Sequence, residues 1–198
     1  EIIAMASDIL EALGVRKDTT LELNSLGDPE SRAAYRTRLV EYFSAHADTL
    51  SEDSRTRLAR NPLRILDSKD EGDRKLVANA PLFAESFNDK SRAFFDAVRR
   101  GLDTLGIAHQ VNQRLVRGFD YYTHTAFEFT TTALGAQGTV LGGGRYDGLV
   151  ESMGGPPTPG IGWAAGVERL AMLMGEIDLP RRTVALVPIG PEIGRAHV

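Results

Sequence analysis

Apolar residues recur along this chain with two different periods, and the change from one to the other divides it. Ile2, Ala6, Ile9, Leu10 and Leu13 fall on one helical face, and Gly14 stands where a helix stops. Residues 19–24 then alternate, with Leu21 and Leu23 inward, as a strand leading into Ser25-Leu26-Gly27. Asp28-Pro29-Glu30 reads as an N-cap with proline at the first helical position, and Tyr35, Leu39, Tyr42, Phe43 and His46 continue at helical spacing. A helix over 52–60 is broken by Asn61-Pro62, and a polar stretch over 67–75 precedes another short helical piece. Asp89 is the expected cap of a further helix, whose Phe94, Phe95, Val98, Leu102 and Leu105 form one stripe ended by Gly106.

From residue 107 the period is that of strands, over 107–113, 121–131, 138–142 and 161–164, followed by a helix over 167–177. Short connections predict antiparallel pairing. The fold class is therefore α+β: an antiparallel sheet flanked by helices, with a helical insertion over 29–106 lodged between sheet portions at 1–28 and 107–179. Residues 183–187 read as a fresh buried strand, so that 180–198 begins another domain. The first residues already lie inside a helical pattern with no cap before them, which predicts a fragment.

Composition narrows the classes. A chain of 198 residues, 42% hydrophobic and 25% charged, can bury a real core. The net charge of -4 argues against coating nucleic acid through bulk positive potential, while leaving a local basic face possible. Arg32, Arg36, Arg38, Arg55, Arg57, Arg60 and Arg64 supply candidates for one, although solvated helix faces also account for them. The absence of cysteine removes disulfides, thiol nucleophiles and thiolate metal sites, and fits a reducing cytoplasm. His46, His109, His124 and His197 show no ligand spacing, so no metal site is expected. No apolar run approaches the length of a membrane span.

Candidate chemistry gathers in three stretches. Around 115–128 the alternation puts Tyr122, His124, Ala126 and Glu128 on one face and Tyr121, Thr123, Thr125 and Phe127 on the other. Arg117 precedes the hinge Gly118, where a fixed guanidinium could face an anionic substrate; an ordinary Arg117–Asp120 surface pair fits the same letters. Gly142-Gly143-Gly144-Arg145-Tyr146-Asp147-Gly148 follows a strand directly and lets a ligand approach the main chain, or simply makes a bend. In Gly160-Ile161-Gly162-Trp163-Ala164-Ala165-Gly166-Val167-Glu168-Arg169-Leu170, alternate glycines admit something flat against the strand. Arg169 there falls in a first helical turn, opposed to the dipole, where it makes sense as a phosphate ligand.

Taken together, residues 115–122, 143–149 and 160–170 resemble histidyl-tRNA synthetases, a family of class II aminoacyl-tRNA synthetases: two histidine-recognition signatures and the third class II motif, in order. Residues 21–27 and 61–69 are similar to the family as well. The resemblance implies ATP-dependent activation of histidine to histidyl-adenylate and its transfer to the 3′ end of tRNA(His), in the cytoplasm, by a homodimer. It implies Arg117 as the catalytic arginine that also contacts histidine and ATP, Tyr122 and Tyr146 around the imidazole, and Gly162 and Arg169 at ATP, whose magnesium arrives with the nucleotide. Phe119 replaces the usual leucine. The insertion would contact tRNA, and residues 180–198 would open the anticodon-binding domain, with Glu192 to Val198 not clearly extending its pattern. Motifs 1 and 2 would lie before Glu1, so the chain alone is expected to be inactive. Two alternatives are a regulatory subunit of an ATP phosphoribosyltransferase, which tends to lack the Arg117 and Glu168-Arg169 equivalents, and an RNA-binding fragment.

Overall fold

The structure, a computed structural model, describes residues 1–116, 121–135 and 138–175. Strands β1 (Thr20–Ser25), β2 (Gln110–Val111), β3 (Thr123–Thr130), β4 (Thr139–Arg145) and β5 (Ile161–Ala165) form one sheet in the order β2-β1-β3-β4-β5. Three of its pairings are antiparallel, as the short connections predict, but β2 runs parallel to β1, so the sheet is mixed. The physical reason is the long excursion between these two strands, which supplies the crossover that parallel neighbours need. The strand expected over 107–113 shrinks to two residues because Asn112 turns the chain. Its backbone N–H still donates to Leu23 O, while its side chain donates to Glu22 Oε2 (2.6 Å) and accepts from the N–H of Arg114 (3.0 Å).

Helices α1 (Ile2–Ala12), α2 (Pro29–Ser44), α3 (Glu52–Arg60), α4 (Glu71–Asn79), α5 (Asp89–Thr104), α6 (Leu149–Ser152) and α7 (Val167–Met174) complete the described elements, apart from short 3₁₀ turns. Gly14 and Gly106, which end α1 and α5, adopt φ of +72° and +68°, the left-handed conformation that closes a helix without Cβ strain. Asp28 caps α2 as expected, accepting from Ser31 N–H. Two helix starts differ from expectation. Asn88, not Asp89, caps α5, and Asp89 instead places its carboxylate in the first turn. The polar stretch is partly helical, because Asp70 accepts from Gly72 and Asp73 N–H and starts α4 there.

The two faces of the sheet bury different things. On one, Leu21, Leu23, Phe127, Phe129 and Leu141 pack against α1, α5 and α7. On the other, Tyr122 and Ala126 meet a separate core made by Tyr35, Leu39, Phe43, Ile65 and Phe83 of the helical segment. Phe95 and Leu102 belong to the first core, so α5 packs with the sheet. Leu105 lies past the helix end and is 59% exposed.

Where the excursion leaves and rejoins the sheet, polar side chains interlock. Asn88 Nδ2 donates to Asp28 Oδ2 (2.9 Å), Ser31 Oγ donates to Ser91 Oγ (3.1 Å), and Asp28 N–H donates to Ser91 Oγ (2.9 Å). Burial alone would raise the Asp28 pKa, but hydrogen bonds from Ser31, Asn88 and Ser91 outweigh it and hold the carboxyl at about 2. Among the described residues no helix is long and apolar enough to cross a membrane. The expected catalytic Arg117, the strand at 183–187 and the domain start at 180 lie outside the described residues.

Candidate active site

The register across β1, β3, β4 and β5 lines up residues that face away from the first core. Asn24, Ala126, Gly144 and Gly162 form one cross-strand row, and Glu22, Glu128, Gly142 and Ala164 the next. Small residues therefore pave this face from β5 to β3, and two carboxylates border it on β1 and β3. Thr139 Oγ1 donates to Glu128 Oε2 (2.8 Å), and Asn112 holds Glu22.

Three phenol rings stand at one end of this paving. The Tyr122 ring covers Gly144, where a methyl group would lie 2.9 Å from its Cδ1. Tyr146 lies across Gly160 and Gly162, where added Cβ atoms would sit 2.4 Å from Cε2 and 2.9 Å from the hydroxyl. The two rings meet edge to face, with centroids 6.2 Å apart and planes at 86°. Tyr146 is held at its backbone too: its N–H donates to Gly160 O (2.7 Å), and Asp147 Oδ1 accepts from both Arg145 (2.8 Å) and Gly160 N–H (3.2 Å). The flat object that the alternate glycines admit is, in this structure, a side chain of the same chain. Gly160→Ala is expected to push the Tyr146 ring off β5 and weaken the nuclear Overhauser contacts between Tyr122 and Tyr146 ring protons. Unchanged contacts would contradict this seating.

Strict alternation along β3 does not survive. The register shifts between Thr123 and Ala126, and His124 takes a φ of +47°, so a bulge separates the residues before it from those after it. Tyr122, Ala126 and Glu128 do share a face, but His124 leaves it and stacks on Phe94 of α5 at 4.4 Å. Burial lowers the His124 pKa; the nearby carboxylates of Asp28 and Asp147 oppose the shift, and the Arg145 charge adds to it. Tyr121, expected opposite Tyr122, stacks on it instead at 4.7 Å and so joins the phenol cluster. Only the doubled tyrosine in the sequence hints at this.

Arg169 lies toward the other end of β5. Its stem runs over Gly166, where a Cβ would meet Cδ at 3.2 Å, and Nη1 donates to Thr139 O. Antiparallel pairing of β4 with β5 puts Thr139 and Tyr146 at opposite ends of β4. From Gly162 to Gly166 the chain covers about 13 Å.

A family profile described as histidyl-tRNA synthetase matches residues 1–170. The chain belongs to the histidyl-tRNA synthetase family. It is 61% identical over 194 residues to a histidine–tRNA ligase of Rhodospirillum rubrum, covering 97% of this chain and 46% of that protein. A second, from Gluconobacter oxydans, is 60% identical over 192 residues, with the same coverage. The chain thus spans about half the length of the curated relatives it matches. In three dimensions it is similar to the apo histidyl-tRNA synthetase of S. aureus, with a TM-score of 0.71 and 35% identity over 89% of this chain and 44% of that one. The mixed sheet flanked by helices is accordingly the class II synthetase fold seen in this family. Of the histidyl-tRNA synthetase signatures, the structure brings Tyr122, Tyr146 and Gly162 together and sets Arg169 along the same strand pair, while Arg117 is outside the described residues.

Proposed function

We propose that this chain supplies one part of the active site of a class II histidine–tRNA ligase. A carboxylate oxygen of histidine attacks the α-phosphorus of ATP, forming histidyl-adenylate as pyrophosphate leaves. A hydroxyl of the 3′-terminal ribose of tRNA(His) then attacks the carbonyl carbon, and AMP leaves. The observation that supports this reading best is the edge-to-face pair of Tyr122 and Tyr146 over a glycine-paved strip, which gathers two phenols, side chains that can hydrogen-bond an imidazole. A pocket that pairs with a ring's nitrogens discriminates against rings that lack them.

Arg117 would bridge the histidine carboxylate and the α-phosphate, a task for a two-pronged, permanently charged donor. Arg169 would take the γ-phosphate, with Gly162 leaving close approach to the backbone. A guanidinium has five N–H donors, so the bond to Thr139 can orient it while others meet phosphate oxygens. Magnesium would arrive on the nucleotide. The helical segment would contact the tRNA, and residues 180–198 would open an anticodon-binding domain. The enzyme would work as a cytoplasmic homodimer. Arg117 and Glu168-Arg169 are all present, which favours this reading over a regulatory subunit.

The test is ATP–pyrophosphate exchange. A polypeptide of the relatives' full length that contains these residues should exchange label only with histidine present and lose that activity on Arg117→Ala. The 198-residue chain alone should show none. Exchange by this chain above background, abolished by Arg117→Ala, would contradict the division of the active site.

A further inference from the structure

Tyr146 stands where β4 gives out. Beyond Arg145 the chain leaves the sheet, makes the single turn of α6 and rejoins at Ile161, which pairs with Arg145. Most of the excursion is exposed, over residues 151–154 and again over 156–159, with Met153 at 80%. Its two ends are tied at Gly160. Gly160 O accepts from Tyr146 N–H (2.7 Å), and Gly160 N–H donates to Asp147 Oδ1 (3.2 Å), so both polar groups of one backbone residue are taken up by the phenol's own residue and its neighbour. The same Oδ1 accepts from Arg145 Nη1 (2.8 Å), a charge-assisted bond. That guanidinium in turn lies over the Phe94 ring of α5, 5.6 Å from its centroid. A line of contacts therefore runs from α5 through Arg145 and Asp147 to the start of β5, on which the Tyr146 ring lies.

We propose that Asp147 is a positioning residue for histidine binding: its carboxylate closes the base of the 148–159 excursion and so fixes the Tyr146 ring across Gly160 and Gly162. The inference rests on the histidine–tRNA ligase reading above. Its physical content is a hinge and a brace. One backbone bond at a strand end leaves the Tyr146 peptide free to pivot about it; a second bond to the same partner, one residue further on, removes the pivot. Arg145 reaches α5 on one face of the sheet while the Tyr146 ring covers the other, so Asp147 is held from the side away from the pocket and need not touch substrate. Without the carboxylate, the ring swings off its glycines and the imidazole loses one of its two phenols.

Two measurements test this. In the 198-residue chain, Asp147→Ala should weaken the nuclear Overhauser contacts between Tyr122 and Tyr146 ring protons, while Asp147→Asn, whose amide oxygen can still accept from Gly160 N–H, should retain more of them. In a polypeptide of the relatives' full length, histidine-dependent exchange at saturating ATP should show a KM for histidine raised about tenfold in Asp147→Ala and less in Asp147→Asn, with kcat reduced by a smaller factor, because small misplacements of binding groups are costly. A role confined to stability would lower kcat with the folded fraction and leave the KM for histidine unchanged; that result, or unaltered ring contacts in Asp147→Ala, would overturn the proposal. If Asp147→Ala does not fold, Asp147→Asn decides: a raised KM for histidine supports the assignment and an unchanged one overturns it. A wild-type polypeptide with no histidine-dependent exchange would instead sink the functional reading, and the ring contacts in the 198-residue chain would still show whether Asp147 holds Tyr146 in place.

Discussion

Replacing Gly143 by alanine should destabilise the protein by about 3 kcal/mol or more, near the top of the range for overpacking a core position. Gly143 sits in β4 opposite Trp163 of β5, and a Cβ there would lie 2.2 Å from Gly162 O, 2.6 Å from Trp163 Cβ and 2.7 Å from Trp163 Cα. Two of those three atoms are backbone, so no rotamer change relieves the clash; the strands themselves must part. Gly142 and Gly144 have their missing side chains on the opposite face; at Gly144 a Cβ would lie 2.4 Å from Thr125 O and 2.9 Å from Tyr122 Cδ1, so that glycine serves the approach to β3 as well as the room beneath Tyr122. Urea unfolding of wild type and Gly143→Ala measures the effect. A variant within about 0.5 kcal/mol of wild type, the usual range for a harmless surface change, would show that β5 does not approach β4 this closely.

Asp73→Asn should cost about 3 kcal/mol, because a fully buried carboxylate with several donors loses both charge and correctly paired partners. Asp73 is 0% exposed. Its Oδ2 accepts from the hydroxyls of Ser54 (2.6 Å), Ser51 (2.7 Å) and Ser68 (2.7 Å), and its Oδ1 from Ser51 N–H (2.9 Å). One side chain thereby joins the start of α3, the turn before α4, and α4 itself. Burial raises its pKa, but the bonds from Ser54, Ser51 and Ser68 prevail and bring it from 3.8 to about 2. The sign follows from linkage: a depressed folded-state pKa adds stability that is complete above 3.8 and disappears as the pH falls toward 2. Asp28 titrates over the same window, so the quantity to follow is the wild-type minus Asp73→Asn difference in unfolding free energy between pH 5 and pH 2. That gap should narrow below pH 4; a constant gap would mean the carboxylate is not stabilised in its charged form.

Local signals in the sequence carried most of the elements. The Asp28-Pro29 start and the stops at Gly14 and Gly106 are written in neighbouring residues, and the structure follows them. The bulge at His124 and Thr125 was not legible, because reading alternate residues onto alternate faces assumes that no extra residue is inserted, and nothing at those two positions announces one. The parallel β2 was hidden for a related reason: two residues are too few to show a period, and their partner lies far away in sequence. At the candidate site, the motifs pointed to Tyr122, Tyr146, Gly162 and Arg169, of which the structure places the first three side by side, and the glycines implied something flat lying on β5. That this would be Tyr146 itself, and that Tyr121 would stack beside Tyr122, depends on how strands pair rather than on any one stretch. Asp147 has its partner at Gly160, a contact that spacing along the chain cannot disclose.

The bonded neck formed by Asp28 with Asn88 and Ser31 with Ser91 has a consequence for how such a protein can change. Outgoing and returning chain meet there within hydrogen-bond reach, so whatever lies between them is closed at a single base while its far side rests on the sheet at Tyr122 and Ala126. Lengthening, trimming or exchanging it leaves the gap to be closed at its base the same, provided that the surface around Tyr122 and Ala126 is roofed again.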